Sequence, residues 1–425
     1  MPANLHQAMD AAAFSDTESS VPDPDDSSRK AQRGEAISRV IPGQRLLKFQ
    51  APEIVFGEDA LVEAANAAQR SGAQRPMLVS DAGLADAGWF AELLVHLSRA
   101  GLSAQIWCGV TPNPKDHEIH EGYRAYAHHG CDVLIALGGG SVIDAAKGIA
   151  ILAANGGNIL EYEGIDKARN SIPPLVVIPS TSGSGADVSQ FCIVTDTARK
   201  TKITILGRNL VPDTTIIDPR LLVTMPDWLN AATGLEAMAN GIEAFVSLGH
   251  NPLTDHHALR AVSLVARNLI HTLEEPKFLP GRALMAQASL EAGLSFTNAI
   301  LGATQAMSHP VGGLLDAPYG VIAGVVLPHV IRFNAETDPR PYVAIASCLG
   351  LPECMGRPSE AAAAVAAFVE RLARQVGLPS GLQALGVREE DIPGLASFAV
   401  KAPSMMTNPR SADEREMQTL FRTAL

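Results

Sequence analysis

The sequence predicts an α/β domain followed by an all-helical domain. Three observations carry that expectation. Strand-like apolar runs alternate with helix-like stretches through the first half, the pattern of a mostly parallel sheet covered by helices. One of those strands runs straight into three glycines and then a helix. Beyond TIIDPRLLVTMP the strand signals fade, and long helical periods rich in Ala, Leu and Met continue from Leu229 to the end.

Residues 1–44, rich in Ala, Ser, Asp and Pro, read as a loosely held extension. Order begins near LLKFQAPEIVFG, whose apolar residues predict strands closing on a turn at Gly57. PMLVSD predicts a strand, and WFAELLVHLSRAG the helix after it. SAQIWCG gives a strand, then a helix runs from about Asp116 to His129. DVLIAL gives a strand, GGGS a turn, VIDAAKGIAILAA a helix, and PLVVIPS a further strand. The boundary is placed near Asp218 and Pro219, separating an α/β domain, 45–218, from a helical domain, 219–425. No internal repeat is visible.

A chain of 425 residues is about right for two domains. Hydrophobic residues make up 47% and charged residues 18%, which fits a well-buried enzyme rather than a disordered protein. The formal net charge of -12 argues against nucleic-acid binding, which depends on basic surface. VIAGVVL is too short to span a bilayer, so no membrane partner is expected. MPANLHQAMDAAAF lacks the basic and apolar regions of a secretory leader. The five cysteines form no CxxC pair and no zinc spacing, so free thiols in a reducing cytoplasm are expected.

The strongest local signal is DVLIALGGGSVIDAAKGIA. Glycine lets a backbone approach a phosphate, and the unpaired N–H groups of a helix start attract anions. Gly138, Gly139, Gly140 and Ser141 therefore form a candidate pyrophosphate cradle, with Asp144 one turn into the helix. Asp81, after the strand PMLVS, precedes this loop instead of following it as in the common dinucleotide fingerprint. A carboxylate there accepts both ribose hydroxyls and repels a 2′-phosphate, favouring NAD while leaving NADP open; the alternative is a helix or turn cap. A second strand ends in IPSTSGSGAD, whose Thr181, Ser182 and Ser184 hydroxyls suit a ribose or carboxamide.

In GLEAMANGIEAF, residues 234–245, Glu236, Asn240 and Glu243 share one helix face at i, i+4 and i+7. Glu243 is read as a buried helix-packing or salt-bridge residue, and His250 and His329 as structural.

These motifs together resemble the iron-containing (group III) alcohol dehydrogenase family. The likeness runs from about residue 46 to the end. It rests on TPNP (111–114), GGGSVIDAAK (138–147), PSTSGSGADV (179–188), IIDP (216–219) and GLEAMANGIEAF. It continues through NPLTDHHAL, SHPVGG, APYG with LPHVIRFN behind it, and NPR at 408–410. The resemblance implies the dehydroquinate synthase-like fold of that family. It also implies an active site between the domains, NAD(P)-linked interconversion of alcohols with aldehydes or ketones, and a homodimer or larger assembly. Asn113, in TPNP, and Lys202, in RKTKITI, fall at positions it places near the cofactor.

The family's usual metal set, one aspartate and three histidines, is also implied by the resemblance. At those positions this chain carries Glu236, Asn240, Gln305 and Tyr319. Neutral amide oxygens hold zinc or ferrous iron poorly, and tyrosine must lose a proton of pKa about 10 to become a good ligand. No metal ligand is therefore assigned. In the metal's place, Tyr319 is the expected general acid for the developing alkoxide. Gln305 and Asn240 are expected to donate N–H bonds to the same oxygen, His309 to relay the proton, and Glu236 to orient Tyr319 or His309. Each has a packing alternative: Tyr319 filling the void, Asn240 and Gln305 bonding each other, His309 capping a helix.

The expected function is thus an NAD(P)-dependent oxidoreductase acting on a small polar alcohol and its aldehyde or ketone. Three alternatives stay open. One is a lyase or isomerase using Glu236, His309 and Tyr319; another is a maleylacetate-reductase-like enzyme; the third is a silent binding protein.

Overall fold

The computed structural model describes residues 48–351 and 356–425. The expected extension, 1–44, and the start of LLKFQ lie outside the described residues, as does Cys354.

The first half is built on a six-stranded sheet. Its strands are β1 (Glu53–Phe56), β2 (Pro76–Val79), β3 (Gln105–Trp107), β4 (Val133–Gly138), β6 (Leu175–Pro179) and β9 (Thr214–Ile217). They lie in the order β1-β9-β6-β4-β2-β3, and every pairing is parallel. β2, β4 and β6 are buried along their whole length, which is why they read as unbroken apolar runs and not as alternating ones. Helices cover both faces: α1 (Glu63–Arg70), α2 (Ala82–Asp86), α3 (Trp89–Arg99), α4 (Asp116–His129) and α5 (Gly140–Asn155). α5 is buried from Val142 to Leu152 because it packs between this sheet and a second one.

That second sheet is an addition to the expected pattern. β7 (Phe191–Asp196) and β8 (Thr201–Leu206) pair antiparallel, and β5 (Gly164–Ile165) joins β8 in parallel. The sequence carries a signal for it, two β-branched runs around the turn TARK. β8 places Lys202 in the cleft.

After β9 the chain turns through Pro219–Thr224. Asp218 caps that turn, accepts the Leu61 amide at 3.2 Å, and pairs with Arg220 at 2.7 Å. Helices follow: α6 (Asp227–Val246), α7 (Pro252–Glu274), α8 (Leu279–Ala299), α9 (Ala303–Leu315), α10 (Tyr319–Ala335), α11 (Pro341–Cys348), α12 (Pro358–Gln375), α13 (Ile392–Ala399) and α14 (Glu414–Thr423). One core packs α6, α7, α8, α10 and α12 together, and a second packs α9, α10, α13 and α14. α6 is buried from Asn230 to Val246 but for Glu236, which is half-buried at the cleft. Both halves belong to one compact unit. None of the described helices is long and apolar enough to cross a membrane.

Candidate active site

A cavity of about 750 Å³ lies at the C-terminal ends of β2, β4 and β6, between the sheet and the helical half. This is the crevice where open α/β sheets bind ligands.

The sheet side supplies the cradle. β4 ends at Gly138, Gly139 is extended, and α5 begins at Gly140. The amides of Val142 and Ile143 bond the Gly139 carbonyl, which leaves those of Gly140 and Ser141 as the donors at this end of the helix. A Cβ on Gly139 would lie 3.1 Å from Thr181, and one on Gly140 only 2.8 Å from the Ser184 hydroxyl, so both loops meet over the helix start. Gly139, Gly140, Ser141, Asp144, Thr181 and Ser184 line the cavity. Gly138 and Ser182 do not. Gly138 faces Val142, where a Cβ would meet that side chain at 2.4 Å, and Ser182 is fully buried behind the loop. The close approach of Val142 accounts for the glycine at 138, while the Ser182 hydroxyl is buried without a partner.

Asp81 is both a cap and a wall. Its Oδ1 accepts the Leu84 amide at 3.1 Å at the start of α2, and the residue also borders the cavity.

Asn113 ties three elements together from a left-handed backbone conformation, φ 57°. Its amide donates to Ser141 Oγ at 3.0 Å, its Oδ1 accepts from Lys202 Nζ at 2.7 Å, and its Nδ2 donates to Asp316 Oδ1 at 2.8 Å. Asp316, in the turn between α9 and α10, also pairs with Lys115 at 3.2 Å. Sequence reasoning missed this junction, because nothing local marks Asp316 as a partner of residues some 200 positions earlier.

The helical side supplies Glu236 and Asn240 from α6, Gln305 and His309 from α9, and Tyr319 from α10, all lining the cavity. α6 and α10 are held together at Gly320, where a Cβ would lie 2.2 Å from the Ala232 carbonyl oxygen and 3.1 Å from Glu236. Glu243, the third residue of the polar face, points elsewhere. It is buried and accepts the amides of Gly302, Thr304 and Gln305 at 3.1, 2.6 and 3.3 Å. It therefore caps α9 and is not a salt-bridge partner; the unpaired amides of that helix start are what draw a carboxylate there. His309 lies inside α9, so it caps nothing.

Asn240, 2% exposed, donates to the Gly183 carbonyl at 3.4 Å and not to Gln305, and its Oδ1 is buried with no partner. The Tyr319 hydroxyl is likewise buried and unpartnered. Tyr319 meets the His309 ring edge-on, centroids 6.0 Å apart, and His309 Nδ1 lies 3.5 Å from Thr204 Oγ1. Unsatisfied buried polar atoms are costly in a native structure, and both Asn240 and Tyr319 border the cavity.

Burial also sets the charges. Desolvation pushes the Tyr319 phenol well above its ordinary range and the His309 imidazole down to about 3, so both are neutral near pH 7. Desolvation raises Glu236 to about 8, against the pull of Lys202, and lowers Lys202 to about 8, against the pull of Glu236, Asp316 and Asp144. Asp144 is raised to about 7 by the same burial, with Lys147 opposing. No group of three or more His, Cys, Asp or Glu side chains is placed to hold a metal among the described residues.

A glycine-rich helix start facing a polar pocket, at the seam of an α/β and a helical half, is the architecture of a two-domain dehydrogenase. Residues 51–219 match the family described as iron-containing alcohol dehydrogenase, and residues 230–425 match the C-terminal part of the Fe-containing alcohol dehydrogenase family. The chain belongs to the iron-containing alcohol dehydrogenase family. It is 37% identical over 383 residues to the 1,3-propanediol dehydrogenase of Klebsiella pneumoniae, covering 89% of this chain and 99% of that protein. It is 35% identical to the NAD-dependent methanol dehydrogenase of Bacillus methanolicus, covering 89% and 99%. The crystal structure of a 1,3-propanediol oxidoreductase superposes with a TM-score of 0.86 at 37% identity, covering 90% of this chain and all of that one.

Proposed function

We propose that this protein is an NAD-linked oxidoreductase that interconverts a small polar alcohol and its aldehyde or ketone without a transition metal in the reacting site. The observation that carries the reading is one continuous cavity joining the glycine cradle to Glu236, Asn240, Gln305 and Tyr319. The relatives named for 1,3-propanediol and methanol support a small alcohol as substrate.

The cradle suits NAD. Gly139, Gly140 and Ser141 would hold the pyrophosphate on the start of α5, with Thr181 and Ser184 beside it and the free Asp81 oxygen toward a ribose. When bound, NAD supplies the hydride acceptor or donor.

Iron or zinc does not suit the donor set. It offers one carboxyl raised to about 8, two amides and a phenol held protonated, with no imidazole at any of the four positions. The chemistry open to these residues is hydrogen bonding. The Tyr319 O–H and the Gln305 amide N–H groups hold the substrate oxygen as charge develops on it, as an oxyanion hole does, while the Asn240 N–H group is engaged by the Gly183 carbonyl and its open Oδ1 suits a substrate hydroxyl. His309, neutral and braced by Thr204, keeps the Tyr319 ring in place.

The test is an absorbance trace of NADH oxidation across small aldehydes and ketones, with and without a chelator. The expected result is chelator-insensitive turnover. Tight NADH binding without turnover of any carbonyl would turn the reading toward acid–base chemistry on Glu236, His309 and Tyr319.

A further inference from the structure

We propose that Lys202 is a catalytic residue: its side-chain nitrogen holds the reacting oxygen of the substrate and exchanges the proton that a metal-bound site handles otherwise. This rests on the metal-free reading above and asks what supplies the missing positive charge.

The geometry favours Lys202. It sits on β8, reaches the cavity wall from the sheet side, and is 9% exposed. Its one hydrogen bond among the described residues goes to Asn113 Oδ1 at 2.7 Å. A lysine ammonium has three donors, so two are free for a ligand. α9 is moulded around it: a Cβ on Gly312 would lie 3.0 Å from both Cε and Nζ, which leaves the ammonium little room to swing away. The charged and titratable groups facing it come from every neighbouring element: Glu236 on α6, Asp316 in the turn before α10, Asp144 on α5, Lys115 before α4 and His309 on α9. Three carboxyl groups thus face this cation, and the buried amine is brought into the range where it gains and loses a proton near neutrality. Burial keeps Tyr319 as the phenol and His309 as the neutral imidazole near pH 7, so neither supplies a positive charge beside the substrate oxygen.

The step balances. As the alcohol's carbinol carbon gives up hydride to the oxidised nicotinamide cofactor, its O–H bond breaks toward the neutral Lys202 amine. The carbon–oxygen double bond forms, the alcohol is oxidised, the cofactor is reduced, and the amine becomes an ammonium. In reduction the ammonium returns the proton to the alkoxide oxygen. Alcohol oxidation therefore needs the unprotonated amine and rises with pH through about 8, while carbonyl reduction falls over the same interval.

Two measurements test this. The first uses the wild-type protein without cofactor: the pH dependence of Lys202 acetylation by acetic anhydride, read by mass spectrometry. A midpoint near 8 is expected, and one near the ordinary 10.5 would overturn the assignment. The second is Lys202→Ala, with Lys202→Met as the variant that keeps the apolar stem. A loss of about 100-fold or more in kcat is expected, with NADH affinity within about 3-fold of wild type and partial recovery on adding methylamine or ethylamine. Retained kcat, or a loss matched by weaker NADH binding and not rescued by amines, would assign Lys202 to cofactor binding and sink the proposal. Wild-type turnover that is lost to chelator and restored by iron or zinc would instead remove the metal-free reading, and this inference with it.

Discussion

At the scale of single residues, the site is defined by what its polar atoms lack. The buried Tyr319 hydroxyl has no partner, so its place in the fold owes little to hydrogen bonding. Tyr319→Phe is expected to leave the melting temperature unchanged or slightly raised while lowering kcat/KM by about 10- to 1000-fold, the range for removing an oxyanion donor. Glu236 makes a second prediction. Its folded pKa, about 8, lies above the ordinary 4.5, so the folded state binds more protons between those values. The stability it contributes is complete below pH 4.5 and is lost as pH rises through about 8. Glu236→Gln should therefore flatten the fall in melting temperature over that window; an unchanged pH profile would contradict the burial argument. The identities at these positions were legible in the sequence, since GLEAMAN, the glutamine before SHP, and APYG fix them. Their titration was not, because it arises from burial by α6, α9, α10 and β8 together.

At the scale of elements, the glycine helix is more than a phosphate cradle. Lys147, fully buried on α5, donates to the carbonyls of Ala186, Ser189 and Phe191 at 2.7, 2.7 and 2.8 Å. It pins the serine–glycine loop and the start of β7 to the helix that follows the glycines. Lys147→Met removes the charge and leaves three carbonyls without their donor, so a loss of stability of about 3 kcal/mol or more is expected. A chemical denaturation curve checks it. GGGSVIDAAK shows the lysine plainly, but not that its partners lie some 40 residues downstream. The main strands and helices were readable because apolar runs bounded by Gly and Pro have few ways to fold. The β7–β8 hairpin was missed because both strands are buried almost throughout, so no in–out alternation marks them. Glu243 was misread for a related reason: a helix-face pattern records that a side chain is buried, not that an orphaned helix start lies opposite it.

At the scale of the whole molecule, the two halves meet at a cavity, where the resemblance implied an active site but not the contacts that join the walls. Asn113 joins Ser141 at the cradle, Lys202 in the cleft and Asp316 on the helical side. The start of α5 and the placing of Lys202 are thereby connected through one residue in the left-handed region, at φ 57°. Glu236, Asn240, Gln305 and Tyr319 stand across this cavity from the glycine loop. The most direct test is NADH-dependent reduction of small aldehydes by purified protein whose iron and zinc content has been measured after exhaustive chelation. Undiminished turnover with metal far below one atom per chain is expected. Turnover that disappears with the metal and returns in proportion to one bound iron or zinc per chain would contradict it.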